Sequence, residues 1–396
     1  MNAPKLPFTF TLVLLFLTYS LAIAQSKTEA NLPRISTQSD SREQDKAIQG
    51  FNQAIAKITH TASKSQNATS AADSKSFDPR LPLILSDRAK VYLSKGNYAA
   101  AISDLDLAIS INPSLPHAWH NRGLSRYHSG DLAGAYADFT RAVELDPRNA
   151  DAFLQRGQLR YQYHNFVGAF ADVQSAIELN ANHLSAFLTR GSLLRDLGKF
   201  ELAIADFTYC LKLDPRSLAA HNLRGITFKD MGDNSAALAD FDRVMTINTK
   251  QAELWCNRGN VRLLQGDLAG ALDDYSRALQ LKPLAVAYNN RGVLNRSQGR
   301  INEAMADFNQ ALNVNPTYAM AYFNRGQLWQ QRGETVAASK DILSSQTYSN
   351  DQLSSETGEA VFTYDLAGVM LGNVSNPGKA QDDPGKPKIK SLSLNP

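Results

Sequence analysis

Cysteine is nearly missing: Cys210 and Cys256 are the two in 396 residues. That excludes a disulfide framework and a four-cysteine zinc site. Charge of one sign is scarce as well. The formal net charge is +3, and no Lys/Arg run occurs in the body of the chain. A nucleic-acid partner normally demands a basic stripe, so none is expected here. The nearest approach, Gly385-Lys386-Pro387-Lys388-Ile389-Lys390, reads as a solvated end. No nucleophile elbow, phosphate loop or zinc signature stands out. Neither a catalytic residue nor a cofactor is therefore expected.

What is present begins with an unlike N-terminus. Residues 1–24 carry Lys5, then an uncharged apolar stretch from Thr9 to Ile23, then Ala22-Ile23-Ala24. A positive start, a short apolar segment and a small-x-small ending are the marks of an export signal, with cleavage expected after Ala24. The apolar stretch is short for a membrane span, and no later segment approaches that length. The expected mature protein is exported, periplasmic or secreted, without a stable span.

A period then dominates. Gly123, Gly157, Gly191, Gly225 and Gly259 are 34 residues apart, Gly292 follows after 33 and Gly326 after 34 more. Ala89 holds the same register one period earlier. With that residue set as position 8, position 20 is alanine in all eight repeats, from Ala101 to Ala338. Position 24 is bulky: Leu105, Phe139, Val173, Phe207, Phe241, Tyr275, Phe308 and Ile342. Position 27 is small or modest in size, from Ala108 to Ser345. Positions 20, 24 and 27 share one helix face. Position 15 is glycine in seven repeats and His164 in the other, which predicts a left-handed residue ending a first helix A. Asp131, Asp233 and Asp267 follow as caps for a second helix B.

This pattern, with aromatics such as Trp119, Phe153 and Trp255 at position 4 and prolines such as Pro113 and Pro147 at position 32, resembles the tetratricopeptide repeat family. The likeness covers about two thirds of the chain, residues 82–346, as eight repeats starting near 82, 116, 150, 184, 218, 252, 285 and 319. It implies an all-α, right-handed α-solenoid of helix-turn-helix units. It also implies a non-catalytic protein-protein interaction scaffold, with a protein or peptide held in a groove lined by the first helices.

Two departures from the family pattern stand out. Position 7 is arginine in every repeat and position 23 aspartate in every repeat. Arg122 with Asp138, Arg156 with Asp172, Arg190 with Asp206 and Arg258 with Asp274 are read as rungs of a structural ladder. A planar guanidinium grips a carboxylate with two hydrogen bonds. Asp206→Ala should then destabilise more than Asp→Ala at Asp230, read as exposed.

The family's groove positions place Asn121, Gln155, Leu223, Asn257, Asn290 and Asn324 at one register, position 6. A side-chain amide matches the N–H and C=O of an extended peptide. The competing reading is that these amides solvate the groove or bond their neighbours. The break at Thr189 and Leu223 suggests two half-sites, or an apolar pocket of Leu188, Leu223 and Ile226. His117, His120 and Tyr127 are assigned to the same face, with His128. His117 and His120 lie one turn apart, but His128 is about 12 Å beyond His120, so no metal is expected. Cys256 is expected to be reachable and Cys210 packed.

Outside the array, residues 25–81 hold a polar segment. In it Ala47, Phe51 and Ala54 copy the 20/24/27 spacing and predict a helix over 42–60, then a linker. Residues 347–396 are read as a capping segment, Glu359 to Leu371, and a disordered tail. The alternative function is a structural or assembly factor of the cell envelope that uses edges and loops instead of the groove.

Overall fold

The computed structural model describes residues 41–66 and 78–354. The export signal and the capping segment read from the sequence lie outside the described residues. Within them all regular structure is α-helical. Helix α1 is Ser41–Gln66. The first helices of the repeats are α2 (Leu81–Ser94), α4 (Pro116–His128), α6 (Ala150–Gln162), α8 (Leu184–Asp196), α10 (Leu218–Met231), α12 (Ala252–Leu264), α14 (Ala285–Ser297) and α16 (Ala319–Gln331). The second helices are α3 (Tyr98–Ile111), α5 (Leu132–Leu145), α7 (Phe166–Leu179), α9 (Phe200–Leu213), α11 (Asn234–Ile247), α13 (Leu268–Leu281), α15 (Ile301–Val314) and α17 (Thr335–Ser354). The chain divides into two compact units, one ending at Leu193 and the other starting at Leu194. In the first, α2 packs on α3, α4 on α5 and α6 on α7. In the second, α10 packs on α11, α12 on α13, α14 on α15 and α16 on α17.

Each pair is built the same way. Helix A ends in a residue of positive φ, from Gly198 at 69° to Gly232 at 91°, and His164 takes φ 56° where glycine is missing. Glycine adopts that conformation without the Cβ clash that other residues meet. In five repeats the side chain of the next residue caps helix B. Asp131 accepts from the Gly134 N–H at 2.9 Å, Asp233 from Ala236 at 3.0 Å and Asp267 from Gly270 at 2.9 Å. Asn97 and Asn165 cap in the same way.

The two helices meet where position 8 faces position 24. A Cβ placed on Gly123 would lie 2.7 Å from the Phe139 ring, and one on Gly292 2.7 Å from Phe308. Glycine is needed there because the opposing ring leaves no room for a methyl group. In the first repeat the opposing residue is the smaller Leu105, and Ala89 fits against it with both fully buried.

Helix α1 takes the place of a helix B ahead of the first repeat. Ala47, Phe51 and Ile58 are buried against Leu81, Ile84 and Leu85 of α2. Asn52, next to Phe51, accepts a hydrogen bond from Arg88 Nη1 at 2.6 Å, a role that position 25 fills in later repeats.

Candidate functional site: the arginine ladder and the helix A face

Seven of the arginine–aspartate pairs between positions 7 and 23 close side-on within their own repeat. Arg122 donates from Nε to Asp138 at 2.9 Å and from Nη2 at 2.7 Å. Arg156 grips Asp172 at 2.9 and 2.7 Å, and Arg258 grips Asp274 at 2.9 and 2.6 Å. Arg88–Asp104, Arg224–Asp240, Arg291–Asp307 and Arg325–Asp341 repeat the geometry. The carboxylate hydrogen bonds hold the Arg88 and Arg156 guanidinium groups above their usual pKa. In the remaining repeat Asp206 is buried, and Arg190 donates to Gln174 at 2.7 Å.

Three further kinds of contact support these rungs, and sequence reading had missed them. First, the position 4 aromatic lies under the guanidinium: Arg122 is 4.7 Å from the Trp119 ring centre and Arg258 4.9 Å from Trp255. Such stacking adds a cation–π attraction. Where position 4 is not aromatic, position 11 supplies the ring, as Tyr92 does for Arg88 and Phe228 for Arg224. Second, Nη1 reaches position 25 of the preceding repeat. The acceptors are Asp106 at 2.7 Å, Asp242 at 2.9 Å, Thr208 at 2.9 Å and Asn309 at 2.7 Å. Third, position 11 brings a second donor to the buried aspartate. Arg126 bonds Asp138 at 2.9 Å and Arg160 bonds Asp172 at 2.8 Å, while Arg262 approaches Asp274 to 3.2 Å. His221 does this for Asp240 from position 4, at 2.8 Å. The signal for the third contact was in the sequence: Arg126, Arg160 and Arg262 are each followed eight residues on by Gly134, Gly168 and Gly270. A Cβ on any of these glycines would meet the arginine's Cδ at 2.9–3.0 Å.

Asp230 does not serve as an exposed comparator. Its side chain is 14% accessible and pairs at 3.2 Å with Lys229, which is itself buried.

The position 6 row is not uniform. In the second unit its amides are spent. Asn257 donates to Asn222 at 3.0 Å. Asn324 donates to Asn289 at 2.9 Å, Asn289 to Asn290 at 3.1 Å, and Asn290 to Asn260 at 2.9 Å. Tyr275 closes this chain on Asn260 at 2.8 Å. Asn290 and Asn324 are buried, at 3% and 5% exposure, so they tie α12, α14 and α16 together and do not present an amide to a ligand. In the first unit Gln155 and Asn121 are half-buried, and Asn121 Nδ2 has no acceptor.

Other expected groove residues also move. His117 is exposed, but the His120 ring packs on Phe139, with centroids 5.7 Å apart. Burial drops the His120 pKa to about 4. Tyr127 is 38% exposed and meets His128 edge-on, and His128 stacks on Tyr98 at 5.2 Å. The histidines of α4 therefore face different surroundings. Among the described residues no three His, Cys, Asp or Glu side chains come together as metal ligands. Leu223 is half-buried, while Ile226 packs on Phe241 and Val261 and is not free to line a pocket. Cys256 is 1% exposed and burial pushes its thiol up to about 12, so it is not reachable. Cys210 is fully buried. No described helix is long and apolar enough to cross a membrane.

Comparison with known proteins agrees with this architecture. Patterns described as tetratricopeptide repeat match residues 91–160, 188–252 and 252–283, and one described as TPR repeat matches 292–333. Curated protein sequences give no match. Among solved structures, the Cut9–Hcn1 hetero-tetramer of the APC/C gives a TM-score of 0.54 at 16% identity, over 62% of this chain and 49% of that one. A monomeric IFIT1 mutant with Gppp-AAAA gives 0.50 at 12% identity, over 78% and 82%. A tetratricopeptide repeat protein from Parabacteroides merdae gives 0.48 at 21% identity, over 67% and 94%. These likenesses concern the fold. The register of eight repeats, the helix pairs and the matched patterns agree, and the chain belongs to the tetratricopeptide repeat family.

Proposed function

We propose that the protein is a non-catalytic scaffold that holds an extended peptide segment of a partner protein on the helix A face of its first unit. Members of this family commonly act as interaction scaffolds. One observation carries the choice of unit. Asn121 Nδ2 lacks an acceptor, whereas its counterparts Asn257, Asn290 and Asn324 in the second unit are all committed to neighbouring amides. A desolvated donor without a partner costs about 1–3 kcal/mol. A peptide carbonyl would satisfy it once the half-buried Asn121 side chain turns toward the groove. Gln155, one repeat on, offers a further donor and acceptor, and the exposed Tyr127 offers a ring to an adjacent side chain.

Read as an export signal, the N-terminal segment supports a partner in the periplasm or outside the cell, and the first residue of the mature chain should be Gln25. The edge-and-loop reading rests on aromatics at the helix A–B turns, where Tyr98 stacks on His128 and His164 meets Phe166 at 5.7 Å.

Copurification from the native compartment tests the groove. Asn121→Ala/Gln155→Ala should release the partner while helicity is kept. His128→Ala should leave it bound. Retention of the partner by the double variant, or its loss on His128→Ala alone, would reject the groove in favour of the edge.

A further inference from the structure

Repeat seven breaks the rung described above, in three places at once. In repeats two and six, position 11 is arginine, position 16 aspartate and position 19 glycine: Arg126, Asp131, Gly134 and Arg262, Asp267, Gly270. In repeat seven the same positions are Asn295, Arg300 and Glu303. The arginine has moved to the cap of helix B, and the shorter Asn295 reaches Asp307 in its place, at 2.9 Å. The space left is a cleft of about 350 Å³ between α13, α14 and α15, lined by Leu272, Ser276, Arg291, Arg300, Glu303 and Ala306 among others.

Two guanidinium groups in this cleft are under-used. Arg300 donates from Nε to Asn295 at 2.8 Å, but its Nη2 is buried with no hydrogen-bond partner. Arg291 Nη1 has only Ser276 Oγ, at 3.4 Å, where the rungs of Arg88, Arg122, Arg190, Arg224, Arg258 and Arg325 give this nitrogen an acceptor at 2.6–2.9 Å. Position 25 is an acid in the rungs of Arg122 and Arg258, and a hydroxyl here. Buried N–H groups are normally satisfied, and two guanidinium nitrogens short of acceptors invite a carboxylate, one oxygen to Arg291 Nη1 and the other to Arg300 Nη2. Leu272 and Ala306 supply apolar wall for the carbon attached to it. Two acids also line the cleft: Asp307, paired with Arg291 at 2.7 Å, and the exposed Glu303, whose repulsion water weakens without removing it.

We propose that this cleft is a carboxylate-binding site, separate from the helix A face and independent of the function proposed for it. The carboxylate is either that of a small dicarboxylate or an acidic side chain of a bound protein.

Titration of the full chain with succinate, at constant ionic strength set by sodium chloride, tests it. Calorimetry gives the affinity, and the Nε–Hε resonances of Arg291 and Arg300 give the place. We expect one saturable site with both resonances shifting. Arg300→Gln should weaken binding at least tenfold, and Glu303→Gln should tighten it. Asn295→Arg/Arg300→Asp/Glu303→Gly restores the pattern of repeats two and six, so it should fold at least as well and bind no succinate. The same titration with acetyl-Asp-Asp-amide separates the sources: tighter binding than succinate assigns the site to a protein's acidic segment, weaker binding to a free dicarboxylate. Absence of saturable binding to the native chain would overturn the proposal. So would unchanged affinity in Arg300→Gln, or weaker binding in Glu303→Gln.

Discussion

Arg122 holds two acids of very different burial, which makes it the sharpest test of the ladder. Asp138 is 1% exposed and takes hydrogen bonds from Arg122 twice and Arg126 once. Asp106 takes one bond from the same Arg122 but is 52% exposed. Asp138→Ala leaves Arg122, 11% exposed, with a single exposed acceptor and takes away the buried acceptor of Arg126. Breaking a buried pair by removing one member costs about 3–5 kcal/mol. Because Arg122 keeps Asp106, the lower end, about 3 kcal/mol, is expected. Asp106→Ala removes a surface ion pair, worth about 0–1 kcal/mol. Urea unfolding followed by circular dichroism should show the first transition at lower urea for Asp138→Ala and nearly unmoved for Asp106→Ala. Repeat arrays unfold in segments, so amide exchange in α4 and α5 should locate the loss. Equal shifts for the two variants would refute the idea that burial, and not the count of ion pairs, sets the value of a rung.

Further expectations concern packing, pH and backbone. Gly123→Ala should destabilise by up to about 2 kcal/mol, a clash with Phe139 of about 1–3 kcal/mol partly offset by about 1 kcal/mol of helix propensity; Phe139→Leu in the same chain should recover much of it, as Ala89 opposite Leu105 does natively, and strict additivity in a denaturation cycle would contradict this. His120 is neutral when folded, with its pKa lowered by burial from 6.5 to about 4. Unfolding lets it bind a proton, so its contribution is complete above about pH 6.5 and is lost as pH falls toward 4, up to roughly 3 kcal/mol. His120→Leu, the choice made by Leu154 one repeat on, should flatten stability between those pH values, and parallel curves for the two proteins would exclude the role. His164→Gly should raise stability by up to about 1 kcal/mol by removing a left-handed non-glycine residue, provided the ring contact with Phe166 contributes less; a lowered melting temperature would show the reverse.

How much of this was legible depended on whether a residue's role is set within one repeat. The glycines at positions 8 and 15, the alanine at 20 and the rung between the arginine at position 7 and the aspartate at position 23 are local to one helix pair, so their recurrence displayed their function. The caps Asp131, Asp233 and Asp267 were legible for the same reason. Asn290 and Asn324 were not. Their position suggested an open groove, but whether an amide there is free depends on positions 5 and 9 of the previous repeat, and Asn260 and Asn289 happen to answer it. His120 and Cys256 failed alike: both hold position 5, which turns inward between neighbouring helices. The pairing of Arg126 with Gly134 was readable as a covariation between repeats, and its loss at Asn295 and Glu303 opens the cleft beside Arg300.

The central claim is that the uniform positions close on one another and recognition belongs to the helix A face of the first unit. Site-specific photo-crosslinking in the native compartment tests it most directly, with the crosslinker placed singly at Tyr127 or Gln155 on the A helices and at Leu107 or Ala171, both exposed on B helices. The same partner band from Tyr127 and Gln155, and none from Leu107 or Ala171, is the predicted result. A partner captured from Leu107 or Ala171 and not from Tyr127 or Gln155 would contradict the account.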